Sequence, residues 1–240
     1  MSGHSKWSKV KQFKGAIDAR RSASFTKLAR EITIAVREGG SYLSFNFKLR
    51  IAIDRAKKGS MPKESIDRAI ARGAGTGQEG ALESLVYEAY APGGTALIIE
   101  CLTDNRNRTA GDVKYLLSKN GSSLASTGSV IYLFNHNGVI QIPGGIPENN
   151  RDQIECALID AGANEIKKDD DIEIVICASK DLAGVTGAIE QHGVGFESAE
   201  IEWLPKITID TQEEDGLALE KLLDALDALD DVSRVYTNAA

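Results

Sequence analysis

The sequence predicts an α+β fold: a helical amino-terminal domain followed by two ferredoxin-like α+β domains, one inserted into the other. Three observations predict it. The first 73 residues carry apolar side chains at helical spacing with no strand-like alternation, a Gly-rich stretch then interrupts the chain, and from Leu85 onward strands and helices follow one another in β-α-β order. With 240 residues, of which 26% are charged, 42% hydrophobic and 6% aromatic, the chain can build one large domain or two to three small ones, and its composition argues against disorder throughout.

In chain order, Phe25, Leu28, Ala29, Ile32 and Val36 share one helix face, and Gly39-Gly40 stops that helix where a left-handed residue is useful. Leu49, Ala52, Ile53 and Ala56 repeat the pattern up to Gly59. A third helix starts near Pro62, which suits a first turn because it has no N–H to leave unpaired, buries Ile66, Ala69 and Ile70, and ends at Gly73. Residues 73–80 contain Gly75-x-Gly77-x-x-Gly80, which matches a dinucleotide-binding string in letters alone. That fingerprint needs a strand before it, whereas here a helix precedes it, so the stretch reads as a flexible linker and a domain boundary.

LVYEAY (85–90), the turn at Pro92-Gly93-Gly94 and TALIIECL (95–102) read as a β-hairpin. Ala110, Val113, Leu116 and Leu117 mark a helix and SVIYLF (129–134) a strand. At the far end, ITI (207–209), a helix whose core residues are Leu217, Leu219, Leu222, Leu223, Leu226 and Leu229, and VSRVY (232–236) give another β-α-β. Between them lie VIQI, a helix around 148–162, a short strand near Glu165, IEIVICA, a helix over 181–192, and AEIEWL. The division is therefore 1–80 as a basic helical domain with tail and linker, 81–134 plus 205–240 as a discontinuous ferredoxin-like domain, and 135–204 as an inserted acidic one.

The formal net charge of -7 would argue against a phosphate-rich partner if it were evenly spread. It is not. Residues 1–80 hold 17 Lys plus Arg against 7 Asp plus Glu, whereas residues 135–240 hold 7 against 23. Such asymmetry suggests a polyanion-facing module joined to a part that repels polyanions. In the tail, Lys6, Lys9, Lys11, Lys14, Arg20 and Arg21 stand with Trp7 and Phe13 among them, a mixture suited to phosphate contacts and base stacking, or else to a solvated basic helix whose aromatics pack on the bundle. Lys27, Arg30 and Arg37 extend the patch along the face opposite the apolar stripe. Arg106 and Arg108, in Thr103-Asp104-Asn105-Arg106-Asn107-Arg108-Thr109, sit at a helix N-terminus, where cations oppose the dipole. Either an anion docks there, or Asp104 or Thr103 caps the helix and Asp104 holds one arginine.

Enzyme and metal chemistry find little support. Cys101, Cys156 and Cys177 are dispersed and odd in number, His4, His136 and His192 have no second ligand at metal spacing, and Asp169-Asp170-Asp171 reads as a polar turn. Ser24-Phe25-Thr26-Lys27 matches SxxK, but Phe25 belongs to the apolar stripe. No catalytic residue, metal or cofactor is therefore expected. No apolar run reaches the ~20 residues of a membrane span, and the basic start MSGHSKWSKVKQFKG lacks the apolar core of a secretory signal.

Gly3-His4-Ser5-Lys6-Trp7, Phe25-Thr26-Lys27-Leu28, Met61-Pro62-Lys63, Tyr87-Glu88-x-Tyr90-x-Pro92-Gly93-Gly94, Thr103 to Thr109 and Tyr132-Leu133-Phe134 resemble, in order and spacing, the motifs of the YebC/PmpR family from end to end. The resemblance implies a helical amino-terminal domain and two α+β domains around a large cavity of acidic character. It also implies a regulator of gene expression: most members are called probable transcriptional regulators that bind DNA, a mitochondrial relative activates translation of cytochrome c oxidase, and bacterial relatives are tied to the ribosome. Two loops depart from the family pattern. Ser41 to Phe47 replaces a Gly-Gly-Asp-Pro-like loop and an Asn-Pro, and Asn120-Gly121-Ser122 stands where Asn-Gly-Gly is usual. A member that begins at MSGHSKW resembles the bacterial, cytoplasmic ones.

Charge and resemblance together lead to a non-enzymatic nucleic-acid-binding regulator, with a ribosome- or RNA-associated translation factor as the alternative. A ligand-sensing or protein-interaction module is the rival from another class.

Overall fold

A computed structural model describes residues 25–75, 82–169 and 171–240. The fold is α+β, with helices first and two four-stranded antiparallel sheets after them. The chain separates into two compact units, Met1–Leu133 with Pro205–Ala240, and Phe134–Leu204.

The first unit begins with helices α1 (Phe25–Gly39), α2 (Phe47–Lys58) and α3 (Lys63–Gly73). Leu28, Ile32, Ala35 and Val36 of α1 pack against Leu49, Ala52, Ile53 and Ala56 of α2 and against Ile66 and Ala69 of α3. α1 and α3 approach closely at Gly73, where a Cβ would lie 2.6 Å from that of Val36. Thr33 Oγ1 lies within hydrogen-bond reach of the Ala29 carbonyl on its own helix and the Ala69 carbonyl on α3. Phe25, expected on the buried stripe, is 49% exposed as the first residue of α1.

The sheet of this unit contains β1 (Glu83–Ala91), β2 (Thr95–Thr103), β3 (Ser123–Leu124) and β8 (Val232–Thr237), in the order β3-β1-β2-β8. β1 and β2 form the expected hairpin through Pro92–Gly94. Two helices, α4 (Arg106–Lys119) and α7 (Glu213–Asp227), cover one face around Leu97, Ile99, Val113, Leu117, Leu219, Leu222 and Leu226.

Three local expectations are corrected here. SVIYLF is not a strand: Ile131–Leu133 forms a 3-10 turn, because the buried Glu88 carboxylate accepts the N–H groups of Gly128, Val130 and Ile131 at 2.6, 2.7 and 2.8 Å. Those amides are spent on a side chain and cannot join a ladder. Burial pulls the Glu88 pKa upward, but these amide bonds outweigh it and hold the carboxyl below its usual range. ITI shrinks to one parallel bridge between Ile209 and Ala239, with Ile207 exposed. Leu217 is exposed as well, so the core stripe of α7 runs from Leu219 to Leu226.

The second unit follows βαββαβ order. β4 (Phe134–Pro143), α5 (Arg151–Asp160), β5 (Ala163–Asp169), β6 (Ile172–Ala178), α6 (Leu182–Gln191) and β7 (Ser198–Pro205) give the sheet β5-β6-β4-β7. Its core holds the fully buried carboxylate of Glu173, which accepts from the Ile146 amide and pairs with Arg151.

Candidate functional site

At the C-terminal end of α1, Gly40 takes a left-handed φ of 80° and its amide donates to the Val36 carbonyl at 2.7 Å. The next loop is tied down by Asn46, which is buried. Its side-chain oxygen caps α2 by accepting the Leu49 amide at 3.0 Å, while its amide nitrogen donates to the Ala35 and Gly40 carbonyls at 2.7 Å each. One side chain thus joins the end of α1 to the start of α2, and α2 forms with Phe47 at its first position. The loop between these anchors faces outward: Tyr42, Leu43 and Phe45 are 75%, 47% and 87% exposed. Arg50 lies over the Phe47 ring, 5.2 Å from its centroid, and Lys48 pairs with Glu38 at 2.7 Å. Arg37 is exposed, and one guanidinium nitrogen donates to the Leu82 carbonyl at 3.3 Å.

The amino-terminal half of α1 meets a different environment. Lys27 and Arg30, expected on a solvated face, are largely covered and engaged with carboxylates from the other end of the chain. Lys27 Nζ donates to the Asp227 carbonyl at 2.5 Å and lies 3.4 Å from its carboxylate. An Arg30 guanidinium nitrogen donates to the Asp230 carbonyl at 2.6 Å and to Asp231 at 2.8 Å. Asp227 is the last residue of α7, whose unpaired carbonyls carry partial negative charge, and Asp230 and Asp231 lie in the turn that follows it.

Asp231 is the hub of this cluster. Arg108 grips both its oxygens, through Nη2 at 2.8 and 3.0 Å and Nε at 3.2 Å, and Thr109 Oγ1 donates to it at 2.7 Å. Burial pushes the Asp231 pKa up, but the bonds from Arg108 and Thr109 and the charges of Arg30 and Arg108 outweigh it, so the carboxyl is held below the usual range. Arg108 also pairs with Asp104 at 2.8 Å.

At Thr103–Thr109, Asp104 helps hold Arg108. The cap, however, is neither Thr103 nor Asp104. Asn105 accepts the Arg108 amide at 3.1 Å, and Thr103 Oγ1 accepts the Asn105 amide at 2.9 Å. Arg106 is exposed, and its carbonyl faces the Tyr87 hydroxyl at 3.5 Å.

Lys6, Trp7, Lys9, Lys11, Lys14, Arg20 and Arg21 lie outside the described residues. Of the thiols, Cys101 and Cys177 are buried: burial, then Asp231 and Glu100, pushes Cys101 up to about 12, and burial, then Asp181, pushes Cys177 up to about 11. Both are protonated at neutral pH and unsuited to nucleophilic work. Among the described residues no group of three or more His, Cys, Asp or Glu could hold a metal ion, and no helix is long and apolar enough to cross a membrane.

The amino-terminal domain model of the TACO1/YebC proteins matches residues 5–76, and the model of their second and third domains matches residues 82–239. The chain belongs to the TACO1/YebC family. Among its relatives in this family, a protein of Thermobifida fusca is 44% identical over 240 residues, covering 100% of this chain and 96% of its own. One of Roseiflexus castenholzii is 45% identical over 241 residues, covering 99% and 94%. Both are named "Probable transcriptional regulatory protein". A crystal structure of a conserved hypothetical protein from Aquifex aeolicus superposes with a TM-score of 0.80 at 39% identity, over 93% of this chain and 92% of that one.

Reading along the sequence misses Asn46 as a double anchor and Asp231 as the acceptor for two arginines. Asn46 carries a local signal, a capping residue just before an apolar-periodic run. Asp231 carries none, since its partners are about 120 and 200 residues away.

Proposed function

We propose that the chain is a non-enzymatic regulator of gene expression that binds nucleic acid, with DNA as the leading partner, through residues 1–80. The observation that carries this reading is the charge partition, 17 basic against 7 acidic side chains in that region of a chain whose net charge is -7. The relatives' printed names support a regulatory role. Lys6, Lys9, Lys11, Lys14, Arg20 and Arg21 contact phosphates, Trp7 stacks on bases, and the exposed Arg37 and Arg106 add contacts. Lys27, Arg30 and Arg108 act at one remove: their charges are already met by Asp227 and Asp231, so Lys27 and Arg30 position α1 and Arg108 positions the start of α4. In the three-domain division proposed above, 81–134 with 205–240 and the acidic 135–204 repel non-specific polyanions and leave the basic end to bind. The protein works in the cytoplasm without a cofactor.

A second reading, an RNA- or ribosome-associated translation factor, is favoured by the exposed Tyr42 and Phe45, because stacking requires unpaired bases. Affinity for a DNA duplex and for a structured RNA across a salt series tests the nucleic-acid reading, and sedimentation with ribosomes separates its two forms. Binding to neither polymer at low salt overturns it.

A further inference from the structure

We infer that the loop between α1 and α2 is a rigid stacking prong, in which Tyr42 and Phe45 intercalate with unpaired bases of a single-stranded nucleic acid. The inference rests on the nucleic-acid reading above and names the strand state that one surface recognises.

Large apolar side chains so fully exposed, three within four residues, are costly in water and mark a contact surface. The loop is short and internally bonded. The Tyr42 carbonyl accepts the amides of both Phe45 and Asn46, at 3.1 and 3.0 Å, and the buried Asn46 side chain fixes the loop to both flanking helices. The aromatic rings are therefore presented on a defined backbone, and little ordering entropy remains to be lost when a partner binds.

The surroundings select the partner. Between positions 37 and 50 the charged side chains are Arg37, Glu38, Lys48 and Arg50, with Glu38 paired to Lys48, so the prong stands on a locally cationic surface. The Arg50 guanidinium stacked on Phe47 extends the same alternation of π-face and cation. Aromatic faces flanked by cations suit bases joined by phosphates, and a duplex with its bases already stacked offers the prong nothing to enter. An anionic membrane surface and a second copy of this chain are the other occupants that such a patch could meet.

The test uses the full chain and fluorescence anisotropy with two probes, a mixed-sequence single strand of 12 nucleotides and the blunt duplex of the same sequence. The variants are Tyr42→Ala with Phe45→Ala, and Tyr42→Phe with Phe45→Tyr. Both positions are exposed, so circular dichroism and the melting temperature are expected to match the parent. The alanine pair is expected to weaken single-strand binding tenfold or more, leave duplex binding within twofold and leave the salt slope unchanged, since every cation that meets a phosphate is still in place. The aromatic exchange is expected to retain binding. An equal loss on both probes, or no loss on either, overturns the inference. So does an effect confined to self-association in sedimentation, or to binding of vesicles containing 30% phosphatidylserine. Failure of the parent to bind either probe overturns the nucleic-acid reading itself, whereas binding by the parent that is indifferent to the alanine pair overturns the prong alone.

Discussion

At its amino-terminal end, α1 spends Lys27 and Arg30 on Asp227 and Asp231, and both side chains are largely covered. At its other end the same helix leaves Arg37 exposed and leads into a loop that holds Tyr42 and Phe45 out to solvent. All three cations look alike in the sequence. What separates them is whether a carboxylate from a distant part of the chain folds against them, and this divides α1 into an anchoring end and a presenting end.

The anchoring end gives the largest expected effects. Asp231→Ala removes the carboxylate that Arg30 and Arg108 share and the acceptor of two threonine hydroxyls, in a site where Asp231 and Arg30 are largely covered, so a loss of about 2–4 kcal/mol is expected from urea unfolding. Arg108→Gln should cost less, about 1 kcal/mol, because the Arg108 side chain is 45% exposed. Equal losses for the two variants would contradict the role of Asp231 as the hub. At the presenting end, Asn46→Ala removes a helix cap and two bonds to carbonyls, and about 1–2 kcal/mol of stability is expected to go with them.

The contrast also has a pH signature. The folded pKa of Asp231 is depressed, so its pairing stabilises the protein above the ordinary Asp range, near 4, and is lost as pH falls through the lower folded value. Asp231→Asn is therefore expected to flatten the fall in melting temperature below about pH 4. A parent and variant with parallel acid limbs would argue that Asp231 gains nothing from its partners. The smallest effect belongs to the exposed Lys48–Glu38 pair, where Lys48→Gln should change stability by less than about 0.5 kcal/mol.

Helix periodicity and the hairpin turn made most of the fold legible: the apolar stripes of α1, α2 and α3 and the β1–β2 hairpin follow directly from residue order. Local propensity was misleading where a distant group overrode it. SVIYLF has strand composition, yet Glu88 captures its backbone amides from a neighbouring strand. Phe25 and Leu217 fit apolar stripes, yet lie beyond what the core covers. The charge of the candidate site was legible and its internal pairing was not, since Lys27, Arg30 and Arg108 are matched by acidic residues that only folding brings near.

The division of cations is tested most directly by the salt dependence of nucleic-acid binding by the full chain. Reversing Lys6, Lys9, Lys11 and Lys14 to Glu is expected to flatten the slope of log affinity against log salt by about 3, at roughly 0.7–0.9 for each phosphate no longer neutralised. Arg30→Gln, measured where it remains folded, should lower stability and leave the slope unchanged. A slope that falls with Arg30→Gln and ignores the four reversals would contradict the account.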